Sequence, residues 1–352
     1  MPKKILSLNM SNRIMKRYCS AGVILFLMTL LSSNINGQNE TSKWYFGKYA
    51  GLDFMNSPPT ALTHTMVNAT EGCASIADAS GNLLFYTEGT TIWNQQQVVM
   101  ANGGGLLGNQ STAQSALIVK QPGSASIYFV FTLDAQGMSN GLRYSVVDMS
   151  LAAGMGSVTT KNIQLYTPCM EQLTGVRHCN GSDIWVVSHR FNSNNFVSYL
   201  VTSGGINTTA VTSAVGNTLS ALGQGVIKVS PNGKKLGLTF LNGNPSKVDL
   251  FDFDNSTGMV SNPLSLLSGA GNMYGCEFSP DGSKFYAGSI NPGALYQWDL
   301  CAGSPAAIQN SSLTISSGTS VQSLQNARDG KIYCARNGLQ SLGIINNPNV
   351  SG

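Results

Sequence analysis

Residues 275–289 read GCEFSPDGSKFYAGS, a short apolar run, a Ser-Pro-Asp-Gly turn and a second apolar run. The same pattern stands about fifty residues earlier as GVIKVSPNGKKLGLTF (225–240), and about fifty later as QNARDGKIYCARN (325–337). Aligning on the turn glycine extends the series to six units, centred on Gly81, Gly123, Gly181, Gly233, Gly282 and Gly330 and spaced 42 to 58 residues apart. A recurrence of that length marks a repeat architecture.

Each unit holds more than one hairpin. In the fifth, the pattern predicts strands over Gly275–Phe278, Lys284–Gly288, Ala294–Leu300 and Ser311–Ser317. The fourth repeats this over Val226–Val229, Leu236–Phe240, Val248–Asp254 and Asn262–Leu267. Asn-Gly and Asp-Gly supply positive φ angles for the tight turns, with Pro231 and Pro280 just ahead of them. Third strands tend to end in Asp, at Asp148, Asp254 and Asp299. Helical periodicity is weak throughout. Four antiparallel strands in roughly 45–50 residues is the repeat of a β-propeller blade. Solenoid repeats are much shorter, and stacked sandwiches do not account for the period.

The fold class expected is therefore all-β, a propeller of four-stranded antiparallel blades. Upstream of the first unit, WYFGKYAGLDF (44–54) and TALTHTM (60–66) read as three strands without a leading one. A propeller removes exposed sheet edges by completing one blade from both ends of the chain. Seven blades follow, with the closing strand expected beyond Gly352.

Residues 1–37 read as a secretory signal peptide. Lys3, Lys4, Arg13, Lys16 and Arg17 precede the uncharged run AGVILFLMTLL (21–31), and a small residue, Gly37, stands at the exit. The run is too short to span a bilayer, which takes roughly 20 residues. The remaining 38–352 is one propeller domain. The formal charge of +4 is a property of the leader, because 15 basic residues then face 16 acidic ones. That balance argues against a nucleic-acid partner. Secreted or outer-surface localisation, a monomer and no membrane segment after cleavage are the matching expectations. Six cysteines follow the leader; Cys169 and Cys179 are close in sequence, but a strand over Leu173–His178 would hold them apart.

Several segments, namely 44–54, EGCASIADASGNLLFYTEGTTIWN (71–94), TAQSALIVKQPGS (112–124), GLRYSVVDMSLAAGMGSVTTKN (141–162), HCNGSDIWVVSH (178–189), LFDFDNSTG (250–258) and GIINNPN (343–349), carry a resemblance. Together they resemble the N-terminal propeller region of secreted, gliding-motility-associated PKD-domain proteins of Bacteroidota, exported by type IX secretion. The resemblance implies an extracellular or surface location and a longer parent with immunoglobulin-like PKD modules and a sorting domain. It supplies no catalytic residues.

Chemistry-bearing motifs are few. His64, His178 and His189 have no metal-ligand spacing around them, so neither a metal site nor a cofactor is expected. No G-x-S-x-G elbow exists, and Gly103–Gly105 lacks the lysine of a phosphate loop. Asp252–Gly258 lacks the bidentate Glu of a calcium loop and reads as a turn. The four tryptophans fall on predicted strands as core residues. One pattern is left. Gln114, Gln172 and Gln224 precede the turn glycine by nine residues and Gln322 by eight, which sets them at the start of innermost strands around one mouth of a central channel. Gly72 and Tyr274 take that place in the other two units, with Glu71, Glu171 and Glu277 nearby. Such amides either bind a polar ligand, a glycan or a protein segment, or bridge neighbouring blades by satisfying backbone groups. The function expected is a non-enzymatic binding or adhesion module; a propeller-type lactonase, lyase or hydrolase and an architectural spacer are the alternatives.

Overall fold

The computed structural model describes residues 39–220, 222–241, 247–269 and 271–352; the leader expected over 1–37 lies outside them. The turn glycines organise the chain. All six have positive φ, between 68° and 84°. The turns are not two-residue hairpins, however. Gly233 N–H donates to Ser230 O and Gly282 N–H to Ser279 O, each closing a four-residue turn. Neither Asn232 nor Asp281 has positive φ, which corrects the expectation that both turn residues would. Proline fixes the second position of such a turn, and glycine alone takes the left-handed fourth position. Ser230 and Ser279 Oγ then meet Asn232 Oδ1 and Asp281 Oδ1, both at 2.7 Å, and lock the corner.

Between these corners the chain forms antiparallel meanders, taken here as strand groups in chain order. Group 1 is Lys43–Phe46, Ala50–Asp53 and Thr60–Leu62. Group 2 is Ala74–Ala77, Leu83–Thr87, Thr91–Asn94 and Val99–Gly104, and group 3 is Ala116–Lys120, Ile127–Leu133, Leu142–Asp148 and Ser157–Tyr166. One parallel bridge, Ala101 to Ser157, joins groups 2 and 3 into an eight-stranded sheet. Group 4 is Cys169–Arg177, Ile184–Arg190, Ser193–Thr202 and Val211–Leu219, with Gly205–Ile206 beside them. Group 5 is Ile227–Val229, Lys235–Phe240, Lys247–Asp254 and Met259–Ser268. Group 6 is Met273–Phe278, Lys284–Ser289, Ala294–Asp299 and Leu313–Ser317, and group 7 is Leu324–Asn326, Ile332–Cys334 and Gly343–Ile345. The one α-helix among the described residues, Pro305–Asn310, interrupts group 6; Ser304 Oγ caps it by accepting from Ala307 N–H. No helix of the described residues is long and apolar enough to cross a membrane.

The core is divided into layers. One apolar cluster joins groups 3 and 4 (Phe131, Leu133, Val186, Tyr199), and the next joins 4 and 5 (Trp185, Val187, Leu238, Phe251). A third joins 5 and 6 (Leu250, Phe278, Phe285, Trp298). Groups 6 and 7 meet through Tyr286, Leu295 and Ile332, and groups 2 and 3 through Phe85, Ile92 and Val130. The last group also rests on the first: Tyr333 packs edge-on against Trp44 and Phe54, with ring centroids 5.7 and 5.2 Å apart. This is an all-β, propeller-like fold. The six cysteines among the described residues are unpaired, Cys169 buried and Cys179 exposed.

Candidate functional site

The first strands of the groups surround a central cavity of about 710 Å³ whose wall takes residues from all seven. At one end, where those strands begin, the backbone is laced from group to group. Gly72 N–H donates to Thr112 O (3.0 Å), Gln114 N–H to Glu171 O (3.2 Å) and Glu171 N–H to Gly223 O (2.9 Å). No Cβ fits at Gly72, where it would lie 2.7 Å from Thr112 O, so glycine interrupts the glutamine series for lack of space.

The amides in this tier have distinct roles. Gln114 reaches across two groups: its Oε1 accepts from Leu173 N–H (3.0 Å) and Ile227 N–H (2.9 Å), while Nε2–H donates to Ile227 O (3.1 Å). Gln172 is fully buried and donates to Thr239 O at 3.2 Å. It does not wall the cavity. Gln224 O accepts from Leu241 N–H, and Gln224 likewise lies off the cavity wall. Gln322 lines the cavity, anchored by its backbone N–H on Ala335 O. Both ways of using such amides are thus open at different positions: Gln114 and Gln172 bridge groups, and Gln322 faces the cavity.

The acids divide between the two ends. Glu277 lies three residues along its strand from Tyr274, roughly 10 Å away. There it pairs with Lys228 Nζ (3.1 Å) and accepts from Phe278 N–H (2.9 Å) and Asn326 N–H (3.3 Å), linking groups 5, 6 and 7. Lys228 also donates to Gln325 Oε1 at 2.7 Å. Glu71 and Glu171 stay with the amides. Glu171 is fully buried, its Oε2 accepting from Ala113 N–H (2.9 Å) and its Oε1 from Gln136 N–H (3.1 Å). Burial pushes its carboxyl up to about 7, and the Glu71 and Asp134 charges add to the rise. Glu71 lines the cavity, and burial raises its carboxyl as well. Tyr274 closes this end, packing with Ala113, Leu241 and Ile290. Its hydroxyl lies in the field of both glutamates, which with burial pushes it well above the usual phenol range. The Tyr274 hydroxyl and the Glu71 carboxylate interact at this buried end, with Tyr274 Oη and Glu71 Oε2 both closed to solvent.

Lys228 and Tyr274 are the residues that sequence reasoning undervalued. A lysine inside the apolar run GVIKVS was the available signal for the first. Tyr274 stood at the amide position but was read as a gap. Among the described residues, no three His, Cys, Asp or Glu side chains come together as a metal-binding group.

No protein-family model matches this sequence, and no curated protein does. Solved structures do. The chain is similar to Kuenenia stuttgartiensis hydrazine synthase over 89% of its own length and 96% of that chain, at 13% identity and a TM-score of 0.51. A luciferin-regenerating enzyme (12% identity, 88% of each chain, TM-score 0.43) and Kluyveromyces lactis Hsv2 (10%, 85% and 87%, TM-score 0.45) also match. At such identities the likeness is one of fold alone, and the first of these supports the propeller-like architecture.

Proposed function

We propose that this chain is a non-enzymatic binding module of a secreted or cell-surface protein, related to the gliding-motility-associated propellers it resembles. Its ligand is a projecting segment of a surface glycan or protein. The observation that carries the reading is the cavity of about 710 Å³ walled by every strand group, with Glu71, Gln114, Gln322 and Tyr274 at one end of it. Concave, mostly apolar sites with a few convergent polar groups are where ligands bind. In the finer architecture the seven groups are seven radial blades; the layered core and the contact of Tyr333 with Trp44 support it.

The test is a glycan and peptide array probed with this protein and with Ala116→Trp, which fills the cavity wall with an indole. Retained ligands should be lost in the variant while its melting temperature stays within about 2 °C. An array without ligands, or one unchanged by Ala116→Trp, overturns the reading.

One observation favours a second reading, an enzyme: a glutamate titrating near neutrality, Glu171, suits a general base. Against it, both Glu171 oxygens accept from backbone N–H groups, and Glu171 does not wall the cavity. A lactonase, lyase and hydrolase screen in which turnover vanishes in Glu171→Gln would make this reading the better one.

A further inference from the structure

We infer that the cavity takes up an extended segment of a partner protein by strand addition, the segment lying along the cavity edge of Lys43–Phe46 as the innermost strand of group 1. The inference rests on the cavity being a binding site and names the class of its ligand and how it is held.

Strand direction is the first argument. The leading strands of groups 2 to 7 all start at one end of the cavity. There Gly72, Gln114 and Glu171 are laced to their neighbours by backbone hydrogen bonds, and a Cβ at Gly275 would overlap Gln322 O. Lys43–Phe46 runs the other way. Just past its last residue, Gly47 O accepts from Ala69 N–H (2.9 Å) and Lys48 bridges Asn68, both ahead of the strand Ala74–Ala77. At its first residue, Lys43 O accepts from Ser75 Oγ (2.6 Å), inside that strand. Lys43–Phe46 thus has the direction of a second strand.

Depth is the second argument. Tyr45 stacks on Tyr86, with ring centroids 4.5 Å apart, and Trp44 packs edge-on against Tyr333 at 5.7 Å. Tyr86 and Tyr333 lie on the second strands of their groups, Leu83–Thr87 and Ile332–Cys334. Lys43–Phe46 therefore stands level with second strands, one strand spacing of about 4.8 Å outside the position of a first strand. The cavity extends to it. Trp44, Tyr45 and Phe46 line the wall, and so does Tyr333, alone among the described second-strand residues of the other groups.

The edge itself shows what fits. In the antiparallel ladder with Ala50–Asp53, Phe54 N–H donates to Ser42 O (2.8 Å), so Ser42, Trp44 and Phe46 turn their backbone groups towards that strand. Bonded and non-bonded positions alternate in such a ladder, which leaves the N–H and C=O of Lys43 and Tyr45 on the cavity side. Ser75 Oγ takes up Lys43 O, and no strand among the described residues pairs the others. Backbone donors and acceptors repeating every second residue match another extended backbone, a regularity that a glycan does not offer. The added strand would run antiparallel to Lys43–Phe46, between Ala74–Ala77 and Leu324–Asn326, from which Ile76 and Leu324 line the wall. Lys43 is already paired with Asp53, so small and apolar residues suit the segment. The leading strands of groups 2 and 3, ASIA and ALIVK, have that character.

The probe is the acetylated, amidated hexapeptide SALIVK, which copies residues 115–120. At saturation it should slow amide exchange at Lys43 and Tyr45 ten-fold or more, followed by NMR, and leave Trp44 and Phe46, already paired, unchanged. N-methylated peptides give the second readout. A strand in this position bonds Lys43–Phe46 along one edge and turns its other edge to the channel. Methylating Ser, Leu and Val, or else Ala, Ile and Lys, should therefore weaken binding ten-fold or more in one of the two sets and less than three-fold in the other. No binding of the hexapeptide at millimolar concentration, equal effects of the two sets, or binding without protection of Lys43 and Tyr45 overturns the inference. If array glycans bind, are lost in Ala116→Trp and leave exchange at Lys43 and Tyr45 unchanged, the cavity is still a binding site and only strand addition fails.

Discussion

Removing the Gln114 side chain tests how much of this fold is held by a single amide. Gln114→Ala strands three backbone groups, Leu173 N–H, Ile227 N–H and Ile227 C=O, and both residues are buried. An unsatisfied buried group costs about 1–3 kcal/mol, and water in the cavity reaches some of them, so the loss is about 2–4 kcal/mol. Unfolding entropy of about 2.1 cal/mol/K per residue gives roughly 0.65 kcal/mol/K for a domain of this length, so the melting temperature should fall by about 3–6 °C. Gln114→Glu keeps an acceptor for the two N–H groups but sets an oxygen against Ile227 O, and it should fall between wild type and Gln114→Ala. The internal control is Gln322→Ala, whose side chain makes no hydrogen bond to another group among the described residues; a change within about 0.5 kcal/mol is expected. Scanning calorimetry on the four proteins gives the ranking. Equal melting temperatures for Gln114→Ala and Gln322→Ala would refute the bridging role and the reasoning from unsatisfied backbone groups.

Three further outcomes follow from the same contacts. The Glu171 carboxyl titrates higher folded (about 7) than in an open chain, so the stability it confers is full below pH 4.5 and is lost as pH rises through 7, by about 3 kcal/mol. Glu171→Gln should therefore gain on wild type between pH 5 and pH 8 in chemical denaturation, and a constant difference would sink that account. At Gly237, a Cβ would overlap the Phe285 ring of the next strand group, so Gly237→Ala should cost about 1–3 kcal/mol. Phe285→Leu in that background should recover part of it, with additive costs counting against a flush contact there. Lys228→Met leaves Glu277 buried without its cation and should cost about 3 kcal/mol, less in the double variant with Glu277→Gln. Strict additivity in that cycle would mean the pair is not coupled.

Much of this fold could be read from local chemistry. Ser-Pro-Asn-Gly and Ser-Pro-Asp-Gly determine their turns through neighbours two to five residues away, and the strands flanking them fall within a residue or two of expectation. The expectation failed where the residue type was right but its geometric share was not, as with Asn232 and Asp281. The helix at Pro305–Asn310 was missed because it is shorter than two turns, too short for a periodicity to register. The site was legible only as a tier. The offset of Gln114, Gln172 and Gln224 from their turns counts residues along a strand and sets them near the start of first strands, but of the three only Gln114 walls the cavity. What each amide bonds to was not legible, because Gln114 meets a residue 113 positions away. Glu277 lies inside the strand Met273–Phe278 and Glu71 three residues ahead of the strand Ala74–Ala77, a difference the glutamates themselves do not reveal.

The division of the apolar interior into layers has a mechanical consequence. Each strand group buries most of its apolar surface against two neighbours, with a small cluster around Tyr274 tying several groups near the axis, so a pulling force loads mainly one seam at a time. Such a molecule yields in instalments, and a shear-bearing part that gives way seam by seam dissipates work a single core would release at once.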